Sequence, residues 1–244
     1  MKTLVLTIFL VFPVILSAQE SIPAGTVLPV RLETTLSSKA SHPGQRISAR
    51  VMQDVQLADG RLIRAGAHVT GHVVDVTPSD GGAGARFSIQ FDSLDFSKKT
   101  IPIRTNLRAL ASLLEVDSAQ IPETGPDRGT PPSAWITDQI GGETVYRGGG
   151  HVMSARQVVG EPAPDGILAR VSASPGSGCR GAVNENDRLQ SLWVFSSYAC
   201  GLYGYPHLRI VHAGRTDPAG VITLSSQTEE WKVWGGSGML LRVN

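Results

Sequence analysis

The sequence predicts an all-β protein: a small antiparallel β-barrel or sandwich followed by a second β-rich unit, with at most one short helix. Three observations carry this reading. Apolar residues alternate with polar ones in several short runs, the period of a half-buried strand. Turn residues separate the runs, with 27 glycines and 15 prolines among 244 residues, and leucine-rich heptads are absent. A short motif also recurs: Ile22-Pro-Ala-Gly25 and Ile63-Arg-Ala-Gly66 each lead into an alternating run.

At the N-terminus, Lys2 precedes an apolar run from Leu4 to Ile15, and Leu16-Ser-Ala18 offers small residues for cleavage. This is the pattern of an export leader over residues 1–18. The run is short of the ~20 residues that a membrane-spanning helix needs. No later stretch is long and apolar enough, so no transmembrane segment is expected in the mature chain. The protein is therefore expected to be periplasmic or secreted. Removing residues 1–18 takes away Lys2 and no acid, leaving 21 basic against 21 acidic side chains. Such a balance has none of the basic footprint that nucleic acid requires, and no polybasic membrane-surface patch.

The first motif leads into Leu28, Val30 and Leu32, and the second into Val69, Gly71 and Val73 at matching offsets. Gly25 and Gly66 are placed to supply turns that other residues adopt at a cost. Between the copies, Ile47, Ala49, Val51 and Val55 share one parity. Ala85, Phe87, Ile89 and Phe91 form the clearest half-buried strand, and Ile101, Ile103 and Thr105 a further short one. A β-barrel-like domain over 19–105 results, expected to fold by itself. Leu107, Leu110, Ala111 and Leu114 fall at helical spacing, which predicts one short amphipathic helix in 107–118. That helix and a Pro/Gly-rich linker, richest over Pro122–Pro132, fill 106–160, and within it 136–160 is too rich in glycine to pack a continuous strand well. Ile167, Ala169 and Val171 alternate again, Leu192-Trp-Val-Phe195 reads as a buried strand, and three further runs end at Val243. They make a β-rich domain over 161–244, either with a sheet of its own or continuing the first sheet.

Ile22-Pro-Ala-Gly-Thr26, Gly44-Gln-Arg-Ile-Ser-Ala-Arg-Val51 and Ile63-Arg-Ala-Gly66 with Gly71 together resemble the β-barrel domain of the conjugal-transfer core proteins of type IV secretion systems. The resemblance covers residues 22–105. It implies a small β-barrel and, as a role, an assembly subunit related to a secretion barrel. The chain departs from that family in its cleavable-looking leader and in lacking an apolar helical hairpin.

No catalytic residue emerges. The nucleophile elbow Gly-x-Ser-x-Gly is absent, and Ser177 and Ser237 lie in glycine-rich runs without its spacing. His68 and His72 would share a helix face, but on a strand four residues span ~13 Å, too far for one ion. Asn184-Glu-Asn-Asp187 gathers oxygen ligands, yet not in a calcium-loop spacing. Arg147-Gly-Gly-Gly150 reads as a hairpin, and Asp92 with Asp95 as surface carboxylates. No metal and no cofactor are expected.

The aromatic residues Trp193, Phe195, Tyr198, Tyr203, Tyr205, Trp231 and Trp234 all lie late in the chain. Trp231 and Trp234 differ in strand parity, so one of them faces outward. Tyr203, Tyr205, Trp231 and Trp234 are the candidate ligand contacts, for a glycan or an envelope protein. Cys179 and Cys200 are the chain's two cysteines. In an oxidising compartment they are expected to pair, removing about 3.4 kcal/mol of unfolded-state freedom. The function that follows is an exported, non-enzymatic binding or structural protein of the bacterial cell envelope. The alternatives are the secretion-barrel subunit and an extracytoplasmic hydrolase.

Overall fold

A computed structural model describes residues 21–79, 84–121, 136–146, 152–154, 156–163, 166–170, 192–196, 198–226 and 230–244. The first strands are β1 (Val27–Leu32), β2 (Leu36–Ser37), β3 (Arg46–Val51), β4 (Val55–Gln56) and β5 (Leu62–Ile63). Then come β6 (His68–Thr77), β7 (Arg86–Phe96), β8 (Lys99–Pro102), β9 (Thr105–Ala111) and the helix α1 (Leu113–Gln120). A middle group holds β10 (Ile136–Gln139), β11 (Glu143–Tyr146), β12 (Val152–Ser154), β13 (Gln157–Ala163) and β14 (Gly166–Arg170). The last are β15 (Gly201–Tyr203), β16 (Leu208–Ala213), β17 (Val221–Ser226), β18 (Lys232–Val233) and β19 (Gly238–Val243).

The class is all-β, with one short helix among the described residues. The main sheet has ten strands, in the path β15-β9-β19-β1-β3-β6-β7-β17-β16, with β8 added on β7. Its pairings are antiparallel except that of β15 with β9. Both copies of the repeated motif form the same device. Thr26 N donates to Pro23 O and Ala67 N to Arg64 O, each at 3.2 Å, and Gly25 and Gly66 take φ of 86° and 90°. A left-handed residue at the third turn position is where glycine costs least.

The sheet curls around a core that includes Leu28, Val30, Ile47, Val69, Phe87 and Phe91. Its two ends return toward each other. Gly214, just after β16, lies so close to Thr105 O that a Cβ would sit 2.8 Å from it, and Arg104 Nη1 donates to Ala219 O at 3.3 Å. Among the described residues no ladder joins β16 to β9 or β15, so the sheet is a curled one and not a closed barrel. At Gly71 β6 carries a bulge, and a Cβ there would overlap the backbone oxygen of Gln90.

Four expectations from the sequence are corrected. First, the segments 19–105 and 161–244 are not separate β units: β19 lies between β1 and β9, and β17 pairs with β7. Second, Leu107, Leu110 and Ala111 belong to strand β9, and the helix begins only at Leu113. β9 is buried on both faces, with Leu107 and Leu110 toward the main core and Ala109 and Ala111 toward a second apolar cluster. A strand buried on both faces loses its alternation and imitates helical spacing. The helix start carries its own sequence signal, because Ser112 Oγ accepts from Glu115 N at 3.3 Å, the first half of a Ser-x-x-Glu cap.

Third, the part of 106–160 from residue 136 onward is rich in strands. It contributes β10 to β13, which with β14 form a five-stranded antiparallel sheet in the order β10-β11-β14-β13-β12. Gly141 and Gly142, at φ 106° and 98°, occupy the β10–β11 turn and not a strand interior. Fourth, Leu192 and Phe195 are not in a strand. They close a tight turn, with N–H to O bonds of 3.2 and 3.0 Å in both directions.

Candidate contact surface

The aromatic residues nominated by the sequence are fixed by β18 and the turn that follows it. β18 pairs with β2, so successive side chains alternate inward and outward. Trp231 is 7% exposed and Trp234 53% exposed. Trp231 packs edge-on against Phe87, with 5.3 Å between centroids and 83° between planes. Its backbone N donates to Ser38 Oγ and its carbonyl accepts from Ser38 N, both at 3.1 Å. Trp231 is thus a core residue and not a ligand contact. Its indole Nε1 has no hydrogen-bond acceptor among the described residues.

Trp234 begins a four-residue turn closed by Ser237 N donating to Trp234 O at 3.1 Å. Gly236, the third residue, has φ 98°. Side contacts hold the turn: Gly235 N donates to Thr35 Oγ1 at 3.0 Å and Gly236 N to Leu32 O at 2.7 Å. A Cβ on Gly236 would come within 2.6 Å of Leu113 Cδ1, so the turn sits tight on the start of α1. The indole therefore projects from a rigid support. Lys232, two residues earlier and on the same face, places Nζ 5.0 Å from the Trp234 ring centroid. An anchored indole with a cation over one face presents flat apolar area at low entropic cost. Such a ring stacks on the C–H face of a sugar or on an apolar side chain.

Beside this turn, Lys39 Nζ and Glu230 Oε1 meet at 2.7 Å. The hydrogen bond from Lys39 holds the Glu230 carboxyl below its usual range. The spacing Lys-x-Trp at the end of a strand was the available signal for the Lys232 contact, since residues two apart share a face.

Tyr203 and Tyr205 are half-buried, and their hydroxyls act as struts within the fold. Tyr203 Oη accepts from Cys200 N at 3.1 Å. Tyr205 Oη is 2.8 Å from the Oγ of the fully buried Ser237, tying the β15–β16 connection to the start of β19. Burial pushes the Tyr205 phenol up to about 12, while the Ser237 hydrogen bond pulls the other way.

A free tyrosine loses its proton near pH ~10, so the folded state holds the Tyr205 proton more tightly than the unfolded chain does. That contribution to stability is complete below the unfolded pKa and is lost as the pH rises toward about 12. Across that window the native protein should lose about 2–3 kcal/mol more than Tyr205→Phe does. Urea unfolding of both proteins at a series of alkaline pH values measures this, and parallel profiles would refute it.

No protein-family model matches the chain. A search of curated proteins returns no match either.

The remaining nominated residues are placed as follows. His68 and His72 lie in β6, each beside a carboxylate: His68 Nδ1 is 3.6 Å from Glu33 Oε2 and His72 Nδ1 is 2.7 Å from Asp92 Oδ2. Asp92 also accepts from Gln90 Nε2 at 2.9 Å, while Asp95 accepts from Thr100 Oγ1 at 3.0 Å. The two aspartates thus serve separate local networks. Cys200 is buried. The leader over residues 1–18, the Pro122–Pro132 linker, Arg147–Gly150, Ser177, Cys179 and the Asn184–Asp187 loop lie outside the described residues.

Proposed function

We propose that this chain is an exported, non-enzymatic protein of the bacterial cell envelope that acts by binding, with Trp234 at the centre of its contact surface. The observation that carries this reading is the half-exposed indole on an anchored turn, beside a partner tryptophan committed to the core. An exposed indole leaves apolar area in water without a packing return, and rigid aromatic anchors of this kind dominate binding energetics. The export half rests on Lys2 and the apolar run after it. The pairing of Cys179 with Cys200 belongs to the same proposal, as the chain holds no third cysteine.

The partner class is an envelope glycan or protein surface. Full-length protein recovered from the envelope and its Trp234→Ala variant are compared for co-sedimentation with purified sacculi and for retention on solubilised envelope proteins. The native chain is expected to bind one of the two, and the variant at least about tenfold more weakly, as loss of an aromatic anchor entails. Intact mass of the same preparation shows whether the leader is removed and whether alkylation requires reductant. Equal binding by both proteins, or binding by neither, would sink the reading.

A further inference from the structure

Among the described residues, the five-stranded sheet of β10 to β14 meets the rest of the molecule at its β10 edge. Among the described residues, β11 to β14 pair with members of their own sheet alone. β10 continues into Ile140, which bridges to Phe195. Ile140 N donates to Val194 O at 2.8 Å and Ser196 N to Ile140 O at 2.9 Å. Phe195 in turn is buried in the second apolar cluster, with Ala109, Ala111 and Leu240 from the outer face of the main sheet. The turn Leu192–Phe195 therefore joins the two sheets, beside α1, whose Val116 shares that cluster with Ile140.

That joint is strained at one residue. Trp193 has φ 59°, and Val194 is not among the positive-φ residues. A positive φ at the first central position alone is the sign pattern of a type II′ turn, a position that glycine fills at no steric cost. A bulky side chain there is a steric outlier. Two glutamines hold it. Trp193 N–H donates to Gln53 Oε1, from the loop after β3 in the main sheet. Gln139 Nε2, from the last residue of β10, donates to Trp193 O at 2.8 Å. The backbone at Trp193 is thus gripped by one side chain from each sheet. The indole packs edge-on against Phe195, 6.4 Å between centroids, and stays half-exposed.

We propose that the Leu192–Phe195 turn is a strained catch, closed by Gln53 and Gln139 on the Trp193 backbone, that lets the β10–β14 sheet detach from the main sheet without unfolding it. Release relaxes Trp193 into an ordinary backbone region and uncovers the outer edge of β10. Strain that persists under such clamping marks elements built to switch, and detachment by one edge is the form a sub-global opening takes.

Hydrogen exchange of the full chain, followed by mass spectrometry, tests this. Peptides from 136–146 report the catch, and peptides from β1, β3 and β19 serve as the internal control. Gln53→Leu and Gln139→Leu should each speed exchange over 136–146 by about tenfold, the effect of one lost buried hydrogen bond, with the control peptides unchanged. Trp193→Gly keeps both backbone bonds and removes the strain, so it should slow exchange over 136–146. The catch is overturned if the leucine variants leave 136–146 unchanged, if the control peptides lose protection in step, or if Trp193→Gly speeds exchange as the leucine variants do.

Discussion

A chain ending at Gly220 should show no cooperative unfolding transition. β19 pairs with β1 on one side and β9 on the other, so its loss splits the main sheet in the middle. β9 keeps only its short parallel pairing with β15, and β7 loses β17. The apolar side chains withdrawn from the core are Ile222, Leu224, Trp231, Val233, Met239, Leu241 and Val243. At about 1.5–3 kcal/mol for each buried side chain, their sum is as large as the whole ~5–15 kcal/mol by which a domain of this kind is stable. The strands β1, β3, β6, β7 and β8 remain contiguous, but their core face is open to water. On this sheet order, residues 19–105 are expected not to fold by themselves. Thermal and urea unfolding of the shortened chain measure the effect, and a sharp transition with a native-like slope would refute it.

The two late tryptophans should separate cleanly in stability. Trp231→Ala is expected to cost about 3–5 kcal/mol, because it leaves a cavity against Phe87 in a core with little freedom to collapse. Trp234→Ala should stay within about 0.5 kcal/mol of the native protein, as surface changes do. The offset between the two urea midpoints is the measurement. Equal losses would mean that Trp234 is as much a packing residue as Trp231, and would remove the basis for a contact surface there.

Much of the strand content was legible because alternation survives wherever one face of a strand is wet. β3 reads Ile47, Ala49 and Val51 inward, with Arg46 and Arg50 exposed. The glycine turns at Gly25 and Gly66 were legible because the left-handed region is nearly closed to other residues. The opposite orientations of Trp231 and Trp234 followed from parity alone. β9 was not legible as a strand, because apolar residues on both faces erase the alternation. Nor was the five-stranded sheet, because turn glycines such as Gly141 and Gly142 look in sequence like glycines that break a strand.

The sequence by itself determined the all-β class, the turn positions and which faces of the outer strands are polar. These depend on φ/ψ preferences and on the two-residue period, both local properties. Only the tertiary structure decided that β19 enters between β1 and β9, that Tyr205 is a strut to Ser237, and that Gln53 and Gln139 meet at Trp193. Residues 53, 139 and 193 are brought together by strand pairings of long sequence separation. Such pairings are set by which complete set of faces can be buried at once, and no local window of sequence contains that choice.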